Sequence, residues 1–335
     1  MNSDNNFIVQ SLRGTSQVFF MENAITGALF FVAMAVASYV SGDWNTTIGA
    51  AVGVVVATAT ARLMGCDRPS VSSGLYGFNG VLVGAALPTF LEATPQLWVF
   101  VVIGAAASAV VTASFSATLT AKWSIPGSTG PFVLTGWLLV AAAYSFGSLK
   151  VSSGAPKLPT DYTQGLSPLP AAMELVEIFF RNIGQVYLLG SWVSGAIILV
   201  GIFIASVPAG IAAALGSIVA LAVALAMGAE PSAVSQGLYG FSSVLTAMAV
   251  GIIFLKPDWR IFIYALLATV VTVFVQGAMD VFLAPVGVPS FTAPYVLTMY
   301  LFIAPKAIFA PHPHAPVAGH TVAAAKASPA PVVAD

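Results

Sequence analysis

The chain has 335 residues, of which 58% are hydrophobic and only 7% charged, and its mean hydropathy is +0.94. A water-soluble domain carries about 25% charged side chains, so composition excludes a soluble globular architecture and leaves a polytopic membrane protein. Twelve acidic against eleven basic residues give no electrostatic footprint for nucleic acid, and one cysteine, Cys66, excludes an intramolecular disulfide and any multi-cysteine metal site.

The first 23 residues lack a basic stretch running directly into an apolar core, so no cleavable signal peptide is expected. Residues 1–23 read as a cytoplasmic segment leading into the first span. Ten apolar segments follow, at roughly 24–41, 46–64, 75–91, 98–117 and 131–146, then 191–207, 209–227, 238–254, 261–278 and 294–310. A hydrocarbon core of about 30 Å takes about 20 helical residues, and most segments meet or approach that length. They are rich in Gly, Ala, Val and Ser, the small residues that let membrane helices pack closely. The runs are continuously apolar rather than alternating, which excludes a β-barrel. The 311–335 tail is rich in Pro and Ala and reads as disordered. It holds all three histidines, His312, His314 and His320, and no metal site is expected there.

Loop charges give the orientation. With the N-terminus as loop zero, the even loops hold Arg13, Arg62, Arg68, Lys122, Lys256, Arg260, Lys306 and Lys326. The odd loops hold only Lys150, Lys157 and Arg181, all in the long central connection 147–190. Both termini are therefore expected in the cytoplasm and the connection outside.

The chain also repeats itself. Gly74-Leu75-Tyr76-Gly77-Phe78 followed by Val81-Leu82 recurs as Gly237-Leu238-Tyr239-Gly240-Phe241 followed by Val244-Leu245. Thr129-Gly130-Pro131-Phe132-Val133-Leu134-Thr135 recurs as Thr292-Ala293-Pro294-Tyr295-Val296-Leu297-Thr298, at the same offset of 163 residues. Gln17-Val18-Phe19 and Gln185-Val186-Tyr187 precede the first span of each half at an offset of 168. Five spans per half is an odd number, so the second half enters the membrane from the opposite side. The expected organisation is a first repeat over 12–146, an external connection over 147–178, a second inverted repeat over 179–310 and the tail. Inverted repeats place a substrate path at the interface between halves, marked by short or Gly/Pro-interrupted apolar segments. The segments opened by Gly-Leu-Tyr-Gly-Phe and by Thr-x-Pro fit that description and are expected to cross only part of the bilayer.

Phe78 with Leu82, and Phe241 with Leu245, are four residues apart and share a helical face. Two such faces set opposite each other form a slot, although ordinary packing accounts for the same spacing. Thr129 and Thr292 stand two residues before a proline, where simple capping is one account of them and is compatible with a functional role. Their hydroxyls are also among the few polar groups available at membrane depth. Gln17 and Gln185 read either as interfacial residues or as amide oxygens at two mouths. No Asp, Glu, Lys, Arg or His falls in the middle of a span, so the proton relays and buried ion pairs of coupled transporters are missing. Glu22 and Asp280 lie at span edges and are expected to reach the interface. Rings, hydroxyls and amide oxygens suit a flat, neutral, hydrogen-bond-donating solute. No P-loop is present to supply energy, and no nucleophile with a base, or metal cluster, suggests an enzyme.

At the duplicated Gly-Leu-Tyr-Gly-Phe-x-x-Val-Leu and Thr-x-Pro-aromatic elements, over about residues 12–310, the sequence resembles the urea transporter family. The resemblance implies an all-α polytopic protein of two inverted five-helix repeats, each adding a half-spanning re-entrant helix, with the pore at their interface. It implies a channel-type facilitator of urea, a homotrimer in the cell inner membrane with one pore per subunit, surrounded by lipid and needing no cofactor. Carried over residue by residue, Phe78 and Phe241 match the aromatic slots, Leu82 and Leu245 the waist, and Thr129 and Thr292 the middle hydroxyls. Gln17 and Gln185 match the polar residues at the mouths, with Phe20 and Leu188 as slot neighbours. Some relatives carry glutamate at one mouth where this chain has glutamine. A channel for short-chain amides or ammonia, and an ion-coupled urea transporter, are the alternatives.

Overall fold

The computed structural model describes residues 6–154, 156–162 and 169–305. Lys306, Lys326 and the histidine-bearing tail lie outside the described residues. Among the described residues each half carries the same seven helices in the same order, and the first half adds a short one at Ala121–Trp123. The first half has α1 (Phe7–Ser16), α2 (Ala24–Ser41), α3 (Asn45–Leu63), α4 (Arg68–Ser72), α5 (Gly77–Phe90), α6 (Pro95–Phe115) and α7 (Gly130–Ala143). The second has α8 (Ala172–Gly184), α9 (Trp192–Ala205), α10 (Val207–Ala226), α11 (Pro231–Ser235), α12 (Phe241–Met248), α13 (Trp259–Leu283) and α14 (Ala293–Ile303). Helix α6 runs on through a π-turn at Ser116–Thr120, and α12 through one at Ala249–Ile253. Among the described residues no strand forms, only an isolated bridge between Leu91 and Val151. The chain is a polytopic all-α membrane protein, and each of the ten expected segments holds a helix.

Helix starts follow local chemistry. Asn6 Oδ1 accepts from the Ile8 N–H (2.9 Å) to open α1, and Asn23 Oδ1 accepts from Ile25 N–H (2.9 Å) and Thr26 N–H (3.1 Å) to open α2. Ser191 Oγ does the same for α9, satisfying backbone donors that a helix start leaves unpaired. Helices α2, α3, α6, α10 and α13 are long and apolar enough to span a bilayer. Helices α8 and α9 pass that test only together and are bent by 74° at the break between them. The four segments read as short are short: α5 and α7 have 14 residues each, α14 has 11, and α12 with its π-turn has 13. At 1.5 Å per residue, 14 residues reach about 21 Å, less than a hydrocarbon core.

The halves meet through α2 and α9. Thr26 Oγ1 donates to the Gly201 carbonyl (2.9 Å), and a Cβ on Gly201 would lie 2.8 Å from the Phe30 ring, so a larger residue there would press on that ring. The Tyr187 hydroxyl donates to the Thr15 carbonyl, and its ring lies 5.9 Å from that of Phe19, its counterpart at the offset of 168. A contiguous apolar core therefore includes residues of both halves, Leu82 and Leu245 among them.

Candidate functional site

The amphipathic helices α1 and α8 set the site up. Each ends in a single 3-10 turn, Gln17–Phe19 and Gln185–Tyr187. The next residue takes the left-handed backbone in both cases, Phe20 at φ 63° and Leu188 at φ 61°. That conformation costs a non-glycine residue about 1–2 kcal/mol, and it turns the chain sharply into the following span. The flanking residues hold these corners identically. Arg13 Nη1 donates to the Ser72 carbonyl (3.0 Å) and Arg181 Nη1 to the Ser235 carbonyl (2.9 Å). Gln17 Nε2 donates to the Ser73 carbonyl and Gln185 Nε2 to the Gln236 carbonyl, both at 2.9 Å. Each amide nitrogen is thereby committed, and Oε1 remains to accept.

Two chambers lie at these corners. A narrow one of about 30 Å³ is lined by Gln17, Phe20, Phe78, Ser128, Pro131 and Phe254, among others. A wide one of about 310 Å³ is lined by Gln185, Leu188, Phe241, Phe291, Thr292 and the polar group Gln276, Asp280 and Ser290. Phe20 meets Phe254 edge-on (5.6 Å, 80°) and Tyr295 (6.2 Å, 64°), which walls the narrow chamber with rings. Leu82 and Leu245 line neither chamber and are fully buried in the core that includes Phe78 and Phe241.

Thr129 and Thr292 meet directly, Oγ1 to Oγ1 at 2.7 Å, and both are buried. They occupy the N-cap positions of α7 and α14, yet neither side chain makes a capping hydrogen bond. Capping alone therefore does not explain them. Thr129 follows Ser128 of the narrow chamber and Thr292 lines the wide one, so the hydroxyl pair joins the wall of one chamber to the wall of the other. The residues just before them, Ser128 (φ 45°) and Phe291 (φ 48°), are both left-handed, a conformation retained only where surroundings enforce it.

Several of those surroundings were not singled out in the sequence. Asn79, fully buried, donates from Nδ2 to Thr112 Oγ1 (3.1 Å) and the Ser128 carbonyl (3.3 Å), and its Oδ1 accepts from the Phe132 N–H (3.0 Å). The Tyr295 hydroxyl pairs with Ser128 Oγ at 2.6 Å. Trp137 Nε1 donates to the Pro289 carbonyl (2.9 Å), tying α7 to the loop before Phe291. Asn79 has no repeated partner, because its equivalent is Ser242, and so the duplication search does not reveal it. Asp280 is half-buried beside the wide chamber, and both carboxylate oxygens accept from Gln276 Nε2 (3.0 and 3.1 Å). A strap at 156–162 crosses beside it, where Lys157 Nζ lies 3.6 Å from Glu230 Oε1 and the Tyr162 hydroxyl donates to the Asp280 carbonyl (3.0 Å). Burial, reinforced by the Asp280 and Glu230 carboxylates, raises the Tyr162 phenol above its ordinary value and keeps it a donor.

A family model described as "Urea transporter" matches residues 8–307. Urea transporter 1 of Rattus norvegicus is 30% identical over 297 residues, covering 87% of this chain and 75% of the relative. Urea transporter 1 of Ovis aries is 29% identical over 307 residues, covering 89% and 76%.

Proposed function

The chain belongs to the urea transporter family, and from that premise we propose that it passes urea across the membrane as a passive channel through the line of the two chambers. It is a transporter rather than an enzyme, and its transport of urea follows from the family. The observation that carries the finer reading is the buried Thr129–Thr292 hydroxyl pair, set between chambers that the repeated glutamines and phenylalanines line.

Stripping a polar group of water without compensation costs a few kcal/mol. Along the proposed path a urea N–H exchanges water for Gln17 or Gln185 Oε1 at a mouth and for threonine hydroxyls at the middle. The rings of Phe20, Phe78 and Phe241 admit a flat solute and exclude a hydrated one. The Leu82 and Leu245 side chains form the dry waist, where an ion finds nothing to repay its desolvation. In this reading the halves are inverted repeats and α5, α7, α12 and α14 cross only part of the bilayer. The narrow chamber faces the cytoplasm with both termini, as the lysine and arginine bias supports, and the wide chamber faces outward. Assembly as a homotrimer in the inner membrane, with one pathway per chain, belongs to the same reading.

Urea uptake into proteoliposomes, with and without an imposed proton gradient, tests it. Fast flux that ignores the gradient is expected. Flux that requires the gradient would replace the channel by a coupled mechanism, and passage of methylammonium in preference to urea would replace the substrate.

A further inference from the structure

The wide chamber contains a polar group that the proposed path does not use. Gln276 on α13 is 1% exposed, and its Nε2 donates to both Asp280 oxygens and to Ser290 Oγ (2.9 Å). A carboxylate can only accept, so the amide nitrogen must face it and Oε1 must face away. That Oε1 is buried and no donor among the described residues reaches it, while Gln276 is one of the residues around the chamber. A buried acceptor left unpaired costs about 1–3 kcal/mol, which marks a place where a donor belongs.

Charge points the same way. Among the described residues, no lysine or arginine lies within ion-pair distance of Asp280; Lys157 is engaged with Glu230 instead. Asp280 and Glu230 against Lys157 leave the chamber wall with one net negative charge. A half-buried carboxylate is ordinarily matched by a cation. We propose that Gln276 Oε1 and the Asp280 carboxylate form an off-axis site in the wide chamber for a small N–H-donating cation of the ammonium or guanidinium class. One N–H of the cation meets Oε1, and its charge meets Asp280. The inference does not depend on urea being the transported solute, because it is read as binding without transport.

The test is isothermal titration calorimetry on the full chain in detergent, with ammonium chloride, guanidinium chloride and tetramethylammonium chloride as probes. The first two are expected to bind at one site per chain. Tetramethylammonium, with the same charge and no N–H, is expected to give no heat of binding. Variants at the strap and its contact grade the charge: Lys157→Gln tightens ammonium binding about tenfold, and Glu230→Gln weakens it about tenfold, each change altering the local charge by one unit. Asp280→Asn abolishes it. These two graded positions sit at the chamber rim, so the ordering stands even where Asp280→Asn fails to assemble. Equal affinity across Lys157→Gln, wild type and Glu230→Gln overturns the site, and tetramethylammonium binding as tightly as ammonium overturns the role of Gln276 Oε1.

Discussion

The two halves share their motifs but pack them differently. In the first half, α3 crosses α5 closely at four glycines: a Cβ on Gly53 would fall 2.1 Å from the Gly80 carbonyl oxygen, and one on Gly84 would fall 2.0 Å from that of Gly49. At the equivalent crossing of α10 and α12 the four positions are Ala212, Gly216, Ser243 and Ala247. There a Cβ on the one remaining glycine, Gly216, would lie 2.9 Å from the Ala247 Cβ, so the backbones stand farther apart. Helix α5 runs unbroken through Pro88, whereas α12 gives way to a π-turn after eight residues, with Gly251 at the proline position. The tight half holds the narrow chamber's Phe78, the looser half the wide chamber's Phe241. The repeated glutamines and phenylalanines line a chamber in each half, and residues that diverge set how closely the helices approach.

The largest effect expected is at the waist, where the halves should respond alike. Leu82→Trp and Leu245→Trp each put an indole into a position with no free volume, and urea flux in proteoliposomes should fall to that of protein-free vesicles. Wild-type flux in either variant, with normal elution by size exclusion, moves the path away from that residue. The second effect should separate the halves. Gly84→Ala gives the first half the residue that the second half carries as Ala247, but its methyl group would meet a backbone oxygen that cannot rotate aside. A loss of at least about 3 kcal/mol is expected, beyond the ordinary range for overpacking. Ala247→Gly, the reverse exchange, should cost about 1 kcal/mol through helix propensity. Thermal unfolding in detergent measures both, and equal losses would mean that the glycine crossing is not what tightens the first half.

The threonine pair is a further contact between the halves, and its effect should be smaller. Thr129→Val alone leaves the Thr292 hydroxyl buried without its partner, at about 1–3 kcal/mol, whereas Thr129→Val with Thr292→Val removes both and should be nearly neutral for stability. The double variant should still slow urea flux. Unchanged flux in assembled protein would make the pair a structural clasp between α7 and α14.

The sequence made some of this legible and some not. Spans α2, α3, α6, α10 and α13 were readable because an apolar run of that length has few other solutions. The motif pairs were readable because two matches of that length at one offset of 163 are improbable from composition alone. The same offset brought Thr129 and Thr292 into one hypothesis, and they share one hydrogen bond. Helices α1 and α8 escaped because they are amphipathic and contain Arg13 and Arg181, so a search for apolar length discards them. Asn79 and Gln276 escaped for a different reason: a lone polar residue inside an apolar run carries no sign of whether it faces lipid or clamps a loop. Gln276 shows that deep polarity is not restricted to the repeated positions.

The smallest effect separates the two proposed mouths. Gln17 and Gln185 make the same hydrogen bond to equivalent carbonyls, so loss of the amide removes the same contact from each. What differs is the room around them. In a chamber of about 30 Å³ a solute has almost no water to replace a missing acceptor, whereas about 310 Å³ accommodates several waters beside it. One hydrogen bond is worth about 0.5–1.5 kcal/mol net. Gln17→Leu should therefore slow urea flux by about five- to tenfold at the upper end of that range, and Gln185→Leu by about twofold or less at the lower. Equal slowing would show that both mouths dehydrate urea to the same extent, and that the difference in width between the halves has no bearing on the rate.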